Sequence, residues 1–418
     1  SLSVAMGSYA GNTNQGDFSV AIGSDAGSTN QGVSSVAVGN GAGQSGQGDA
    51  SFAAGVNAGQ YGQSADSVAV GPSSGNSSQG ISSVAIGNGA GFSNQGATSV
   101  AIGTIAGYSG QGANSVAIGN EAGQNQQGTG SVAIGYQAGL LNQQTGAISI
   151  GYQAGNISQA TTSVAIGNTA GYWTQSSNAV AMGNSAGYSG QGIRSVAIGF
   201  NAGFWSQNPQ SVAVGYNAGF SGQGSTSVAI GSSAGNFGQG ANAVAIGDSA
   251  GYCGQSSTSV AIGVASGFFN QASGAVAVGA NAGLCGQGTN CIAIGINAAT
   301  ITQTAGAVAI GWDAGQYNQG ASAIAVGQYA GNVSQGTGAI SIGNQAGNFS
   351  QGVSSVAIGY NAGFNNQQTG AISIGSEAGN VSQGRGAVAI GDSAGYCGQG
   401  IYSVAIGNGA GARSEERR

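Results

Sequence analysis

The sequence predicts an all-β fold, a parallel β-solenoid wound from 16-residue coils. Three observations carry that expectation. The pattern S-V-A-I-G-x-x-A-G-x-x-x-Q-G-x-x starts at Ser3 and recurs 26 times, the last copy, from Ser403, being partial. No insertion or deletion breaks the frame, so each copy must sit on the previous one in register. The S-V-A-I-G segment alternates small and branched side chains with a period of two, which is the strand signal.

Counting places from the first serine, glycine fills place five in every copy, from Gly7 to Gly407, and place nine in all but one, where Ala299 stands. Glycine at this density disfavours helix by about 1 kcal/mol each relative to alanine. Its spacing of four, five and seven residues is not the every-third spacing of collagen. A coil this short holds two strands of about five residues and two tight corners. The glycines of places five, nine and usually fourteen fall at those corners, where positive φ costs glycine little. At parallel strand spacing the 26 coils would extend roughly 120–130 Å. The chain reads as one continuous repeat domain, 1–411, followed by a charged tail, 412–418.

Places two and four are Val or Ile in nearly every coil and point the same way. One coil has Phe52 and Ala54 instead, conserving volume within a shared layer. Places one and three point the other way and hold Ser and Ala, apart from Cys291. In Ala147-Ile148-Ser149, Ala339-Ile340-Ser341 and Ala371-Ile372-Ser373 the hydroxyl moves from place one to place three. Both faces of this sheet look packed. A thin coil covers only one of them, whichever it is, and the other wants a partner chain.

Place thirteen is glutamine in all 25 complete copies, among them Gln15, Gln31, Gln47, Gln79, Gln95, Gln111, Gln191, Gln223 and Gln399. A primary amide has two donors and an acceptor, so stacked glutamines can bond from coil to coil. Beside a corner, the same amide could satisfy backbone groups left unpaired there. A residue repeated in this way is structural rather than a ligand contact.

Composition removes whole chemistries. Charged residues are 4% of the chain, histidine is absent, and the five Lys+Arg positions are all arginine. There is therefore no Ser-His-Asp relay, no imidazole proton shuttle, no Schiff-base lysine and no P-loop lysine. A formal net charge of −6 without a basic patch argues against nucleic acid as partner. The short apolar runs argue against membrane insertion. Disorder is disfavoured because 40% of the residues are hydrophobic and regularly placed. Ser1, not Met, opens the sequence, which reads as a processed product or part of a longer chain.

Individual motifs are weak. Gly41-Ala42-Gly43-Gln44-Ser45-Gly46 matches G-x-G-x-x-G, but a dinucleotide site needs a helix to follow, and here two corners of the repeat do. No cofactor is expected. Asp17 and Asp49 share a column two coils apart, about 9–10 Å, too far to hold one ion jointly; no metal site is expected. Cys253 and Cys285 are likewise too far apart for a disulfide. Five N-x-S/T sequons begin at Asn76, Asn156, Asn332, Asn348 and Asn380, all in place ten, where chance explains them.

The aromatic residues are more suggestive. Of 28, 17 lie in places ten and eleven. Tyr172, Trp173, Phe204, Trp205, Phe268 and Phe269, together with Trp312 on another corner, are the candidate surface contacts. Exposed rings could stack on sugars or a surface, but the favoured reading is that they cover the second sheet or pack against another chain.

Clear copies such as Ser83-Val84-Ala85-Ile86-Gly87, Ser115-Val116-Ala117-Ile118-Gly119 and Ser355-Val356-Ala357-Ile358-Gly359 resemble the head repeats of trimeric autotransporter adhesins, the Yersinia adhesin type. Similar repeats occur in phage and giant-virus fibre-like proteins. The resemblance runs from Ser3 to about Gly411 and implies a left-handed β-roll with three chains around a common axis. The longer, more uniform repeat and its Q-G corner depart from typical heads. The expected function is a non-enzymatic fibre or adhesin-type solenoid on a cell, virion or extracellular surface. Its partner would be itself, as a homotrimer or an end-to-end filament, with a host surface or glycan as the external candidate. The alternative is an ice- or mineral-binding solenoid, which a regular Thr or Ser column on an exposed face would favour; here Ala dominates place three and there is no threonine column.

Overall fold

The structure, a computed structural model, describes residues 2–411; the charged tail lies outside them. Among the described residues there is no helix, and the chain winds as a parallel β-solenoid with a 16-residue turn. The described residues fall into two compact units, one up to Gln210 and one from Ser211. The first unit holds first strands from Val4–Met6 to Val196–Ile198, and the second from Val212–Val214 to Val404–Ile406. Within each unit these strands pair in parallel with those a coil away, as in Val84↔Val100, Ala85↔Ala101 and Ile86↔Ile102. The second strands, at places eleven to thirteen, pair only at their ends, as in Ser77↔Ser93 and Gln79↔Gln95. Around Phe237–Phe269 and Asn365–Cys397 that register continues as single bridges.

Both strands are three residues long rather than the expected five, because left-handed residues interrupt the chain five times per coil. In the coil opening at Ser83 these are Gly87 (φ +127), Gly89 (φ +63), Gly91 (φ +53), Asn94 (φ +53) and Thr98 (φ +55). The bends let corner N–H groups point along the stack as strand N–H groups do. Ile105 N donates to Asn88 O at 2.8 Å, Gly91 N to Ala106 O at 2.9 Å and Thr98 N to Ile81 O at 2.8 Å. The corners are thus hydrogen-bonded coil to coil, which answers the demand that buried backbone groups be paired.

Place-five glycine is required twice over. Gly103 has φ +129, and a Cβ there would lie 2.5 Å from Gly119 O. Place fourteen differs from expectation: Gly96 has no positive φ, and its constraint is close approach, a Cβ lying 2.4 Å from Ala113 N. At Ala160, where a side chain stands at that place, the corner is slightly wider. The place-fourteen N–H reaches the next coil's carbonyl at 2.7 Å from Gly96 and at 2.9 Å from Ala160.

The small face is the inner one. Ser99, Ala101, Ala106 and Gln111, at places one, three, eight and thirteen, are buried. The alanines of places three and eight form continuous clusters, such as Ala21, Ala26, Ala37, Ala42, Ala53, Ala58 and Ala69. The interior is too thin for branched side chains: a Cβ on Gly91 would already sit 3.3 Å from Ala85 Cβ. Val and Ile therefore face out, and Ile86, Ile118 and Ile230 keep 38%, 37% and 39% of their surface. Phe52, also on this outer face, keeps 39% beside the smaller Ala54.

Candidate interaction surfaces

The glutamine column lies inside the coil and joins its two strands. Gln31, Gln47, Gln79, Gln95, Gln111 and Gln399 each donate from Nε2 to the place-two carbonyl of their own coil, at 2.8 Å. Gln15, Gln191 and Gln223 do the same at 2.9, 2.7 and 2.7 Å. A coil with little apolar interior is thus closed by a buried amide whose donor is satisfied.

Bonds from glutamine to glutamine are confined to part of the column. From Gln31 to Gln127 the Oε1 atoms have no partner. The ladder starts where Gln143 Nε2 reaches Gln159 Oε1 at 3.1 Å, and Gln175 Nε2 reaches Gln191 Oε1 at 2.9 Å further along. In the second unit it runs from Gln239 to Gln399, whose last step is Gln383 Nε2 to Gln399 Oε1 at 3.2 Å. The first start coincides with Ser149, the first place-three serine. Its hydroxyl donates to Gln159 Oε1 at 2.5 Å and accepts from Gln143 Nε2 at 3.1 Å. That hydroxyl fixes both amides in the orientation that aligns each donor with the next acceptor. Ser341 and Ser373 donate in the same way to Gln351 and Gln383, both at 2.6 Å. The second start, at Gln239, has no such hydroxyl, and nothing in the structure explains it.

Outside, two surfaces repeat. The first is the Val/Ile sheet face, on which no copy carries a charged residue at places one to five. Neighbouring coils cover each side chain's flanks, so its outward end is what solvent meets. The second is the aromatic corner. Tyr172, Tyr188 and Phe204, at place ten of successive coils, stack with centroids 5.3 and 4.8 Å apart and planes within 8°. Trp173 and Trp205, at place eleven, stand across that stack at 70° to Tyr172 and 84° to Phe204. In the second unit Phe268 stacks on Tyr252 at 4.9 Å, with Phe269 at 84° to it. The structure thus brings Tyr172, Trp173, Phe204 and Trp205 together, and Phe268 with Phe269. Trp312 belongs to a different corner, where it meets Tyr329 at 5.6 Å.

The sequons prove to be structural. Asn76, Asn156, Asn332, Asn348 and Asn380 are all buried. Asn156 Nδ2 donates to Gln137 O at 3.0 Å and Asn332 Nδ2 to Asp313 O at 2.7 Å. Each of these carbonyls belongs to a left-handed place-seven residue of the preceding coil. Secreted from a eukaryotic cell, the folded chain is expected to carry no glycan at these five positions, and intact-mass measurement checks this.

The remaining motifs resolve into corner geometry. Gly41 (φ +64) and Gly46 (φ +71) occupy left-handed places, and the residues after Gly43 form the strand Ser45–Gln47 rather than a helix. Asp49 Oδ1 accepts from Val33 N at 2.8 Å. Among the described residues no three of His, Cys, Asp and Glu converge as metal ligands, and no helix is long and apolar enough to cross a membrane. Cys253 and Cys285 are free and separated in register by Phe269. Cys291 points inward, donates from Sγ to Thr304 O at 2.9 Å, and burial pushes its thiol up from the ordinary range.

No protein-family model matches this chain, and no curated protein matches it in sequence.

Proposed function

We propose that this chain is a non-enzymatic structural solenoid of the fibre or adhesin type, displayed on a cell, virion or extracellular surface. It associates with further copies of itself through the Val/Ile face. The observation that carries this reading is the uncharged, half-exposed column of branched side chains, left outside because the interior is filled by Ala, Ser, Gly and Gln, with Cys291 in one coil. Thirteen coils of two such side chains leave on the order of 1,000 Å² of apolar surface per unit. That exceeds the roughly 800 Å² per partner of a standard interface, and monomeric proteins rarely expose so large a contiguous patch. The strands cross this face coil after coil, so pairing is lateral, as in a dimer or trimer, rather than end to end.

Sedimentation velocity over a concentration series tests this. The chain is expected to sediment as an oligomer, and Ile86→Lys, Ile102→Lys and Ile118→Lys together are expected to weaken association at least tenfold without changing the circular dichroism. A monomer at all concentrations, or an unaffected triple variant, would contradict the reading.

A further inference from the structure

Place eleven carries a second period that place ten does not. Its aromatic residues are Tyr61, Trp173, Trp205, Phe237, Phe269, Tyr317 and Phe349, and no two occupy consecutive coils. Six of the seven form pairs two coils apart. In the first unit Trp173 pairs in register with Ser189, and Ser189 with Trp205. In the second, Cys253 separates Phe237 from Phe269, and Val333 separates Tyr317 from Phe349. Two coils at parallel strand spacing put the rings of each pair about 9.4–9.8 Å apart.

The orientation of these rings follows from their neighbours. Place-ten rings cover one another's faces, as the planes of Tyr172, Tyr188 and Phe204 show, so each offers a place-eleven ring only its edge. The Tyr172–Trp173, Phe204–Trp205 and Phe268–Phe269 centroids are 5.2, 5.0 and 4.4 Å apart at 70–84°. Those separations fit an edge pressed against a face. Trp173, Trp205 and Phe269 are therefore each backed on one face and open on the other, with the ring plane running along the stack, and Phe237 stands at 76° and 82° to Phe220 and Tyr252 of the flanking coils. Trp173, Trp205, Phe237 and Phe269 accordingly keep 40–44% of their surface. Exposed polar side chains follow three of these four rings at place twelve, Thr174 and Ser206 beside the tryptophans and Asn270 beside Phe269, while Gly238 follows Phe237. No charged residue occurs at places ten to thirteen of any complete coil.

We propose that these ring pairs are a binding platform for a neutral, extended β-1,4-linked glycan lying along the stack. A pyranose with equatorial hydroxyls presents flat C–H faces to an aromatic ring and hydroxyl edges to neighbouring polar groups. Successive β-1,4-linked units are flipped, so the same face recurs every second unit, a distance close to the two-coil ring spacing. The absence of charge matches a neutral polymer. A helical α-1,4-linked chain presents no such flat repeat. This surface is separate from the Val/Ile face, so failure of either assignment leaves the other standing.

The test is depletion of the full chain from solution by microcrystalline cellulose and by chitin, with insoluble amylose as the α-linked comparison. Binding to cellulose, to chitin or to both is expected, and the preference between them reports whether an acetamido group is read. Trp173→Ala with Trp205→Ala, and separately Phe237→Ala with Phe269→Ala, should each weaken partition roughly tenfold. Trp173→Tyr with Trp205→Tyr should stay within about twofold of the parent, since a flat ring remains at each place. Ser189→Trp with Trp205→Ser keeps two tryptophans but halves their spacing, and should weaken binding as much as the alanine pair does. No depletion by either β-linked glycan, equal depletion by amylose, or undiminished binding of the alanine and respaced variants would overturn the proposal.

Discussion

Gly103→Ala is expected to unfold the coils around it, at a cost of about 4 kcal/mol or more, near the upper end for single substitutions. The new Cβ would sit 2.5 Å from Gly119 O, a backbone atom of the next coil, at a residue whose φ is +129. Neither problem can be relieved alone. Changing φ breaks the Gly103 N to Ile86 O bond of 2.8 Å, and moving Gly119 breaks the register of the next coil. Two other glycines supply the contrast. Gly130 has φ +66 with nothing within 4 Å of its Cβ position, so Gly130→Ala should cost only about 1 kcal/mol. Gly96→Ala meets backbone at 2.4 Å, yet alanine stands natively at the equivalent Ala160, where the corner is wider. With an ordinary φ but a backbone clash to relieve, it should fall between the other two, at about 1–3 kcal/mol. Chemical denaturation of the three variants, with hydrogen exchange to locate the opening, checks the order.

Replacing Gln303, Gln319 and Gln335 by alanine is expected to melt the middle of the second unit. Each amide bonds the place-two carbonyl of its coil, at 2.9, 2.8 and 2.8 Å from Gln303, Gln319 and Gln335 to Ile292, Val308 and Ile324. Each also donates to the next glutamine, at 2.9, 3.0 and 3.0 Å. Truncation removes these side-chain bonds, at about 0.5–1.5 kcal/mol each, and opens a cavity in an interior with little else to fill it. The same triple change at Gln79, Gln95 and Gln111 removes the carbonyl bonds but no bond between glutamines, since their Oε1 atoms have no partner. It should therefore be milder by about 1 kcal/mol per lost ladder bond. Because such stacks unfold locally, hydrogen exchange of the flanking coils is the appropriate readout. Equal effects of the two triples would remove the ladder's energetic role.

Much of the architecture was legible in the residues. The fixed frame required stacking, the V-A-I alternation required strands, and the place-five glycine required a conformation other residues avoid. The inner face was not legible, because both faces of the first strand are uncharged and periodic. What decides it is the thickness of the interior, set by the approach of Gly91 to Ala85 and to the Gln95 amide. The left-handed residues at places seven, twelve and sixteen did leave a signal. Asn94, Asn114 and Asn142 belong to columns rich in Asn, Ser and Gly, the types that tolerate positive φ. Treating those places as merely variable hid it. Likewise, reading places ten and eleven as one aromatic corner merged two columns with different periods. The start of the ladder at Ser149 depends on how two amides are oriented, which no pattern of letters records. The same holds for the five sequons, whose asparagines are conspicuous as glycan acceptors only until their burial is known.

On the proposed reading, small residues hold each coil together from within and the Val/Ile face is left to meet another copy. Nitroxide labels test it most directly, in a chain with Cys253, Cys285, Cys291 and Cys397 replaced. One label is placed on the first strand's outer face by Ile118→Cys and one on the exposed side of the second strand by Gln126→Cys. Apposed sheets lie about 10 Å apart. Strong dipolar coupling between chains is therefore expected at position 118, fading as unlabelled chain is mixed in, with none at position 126. Absence of coupling at 118 in the assembled protein, or equal coupling at both positions, would contradict the account.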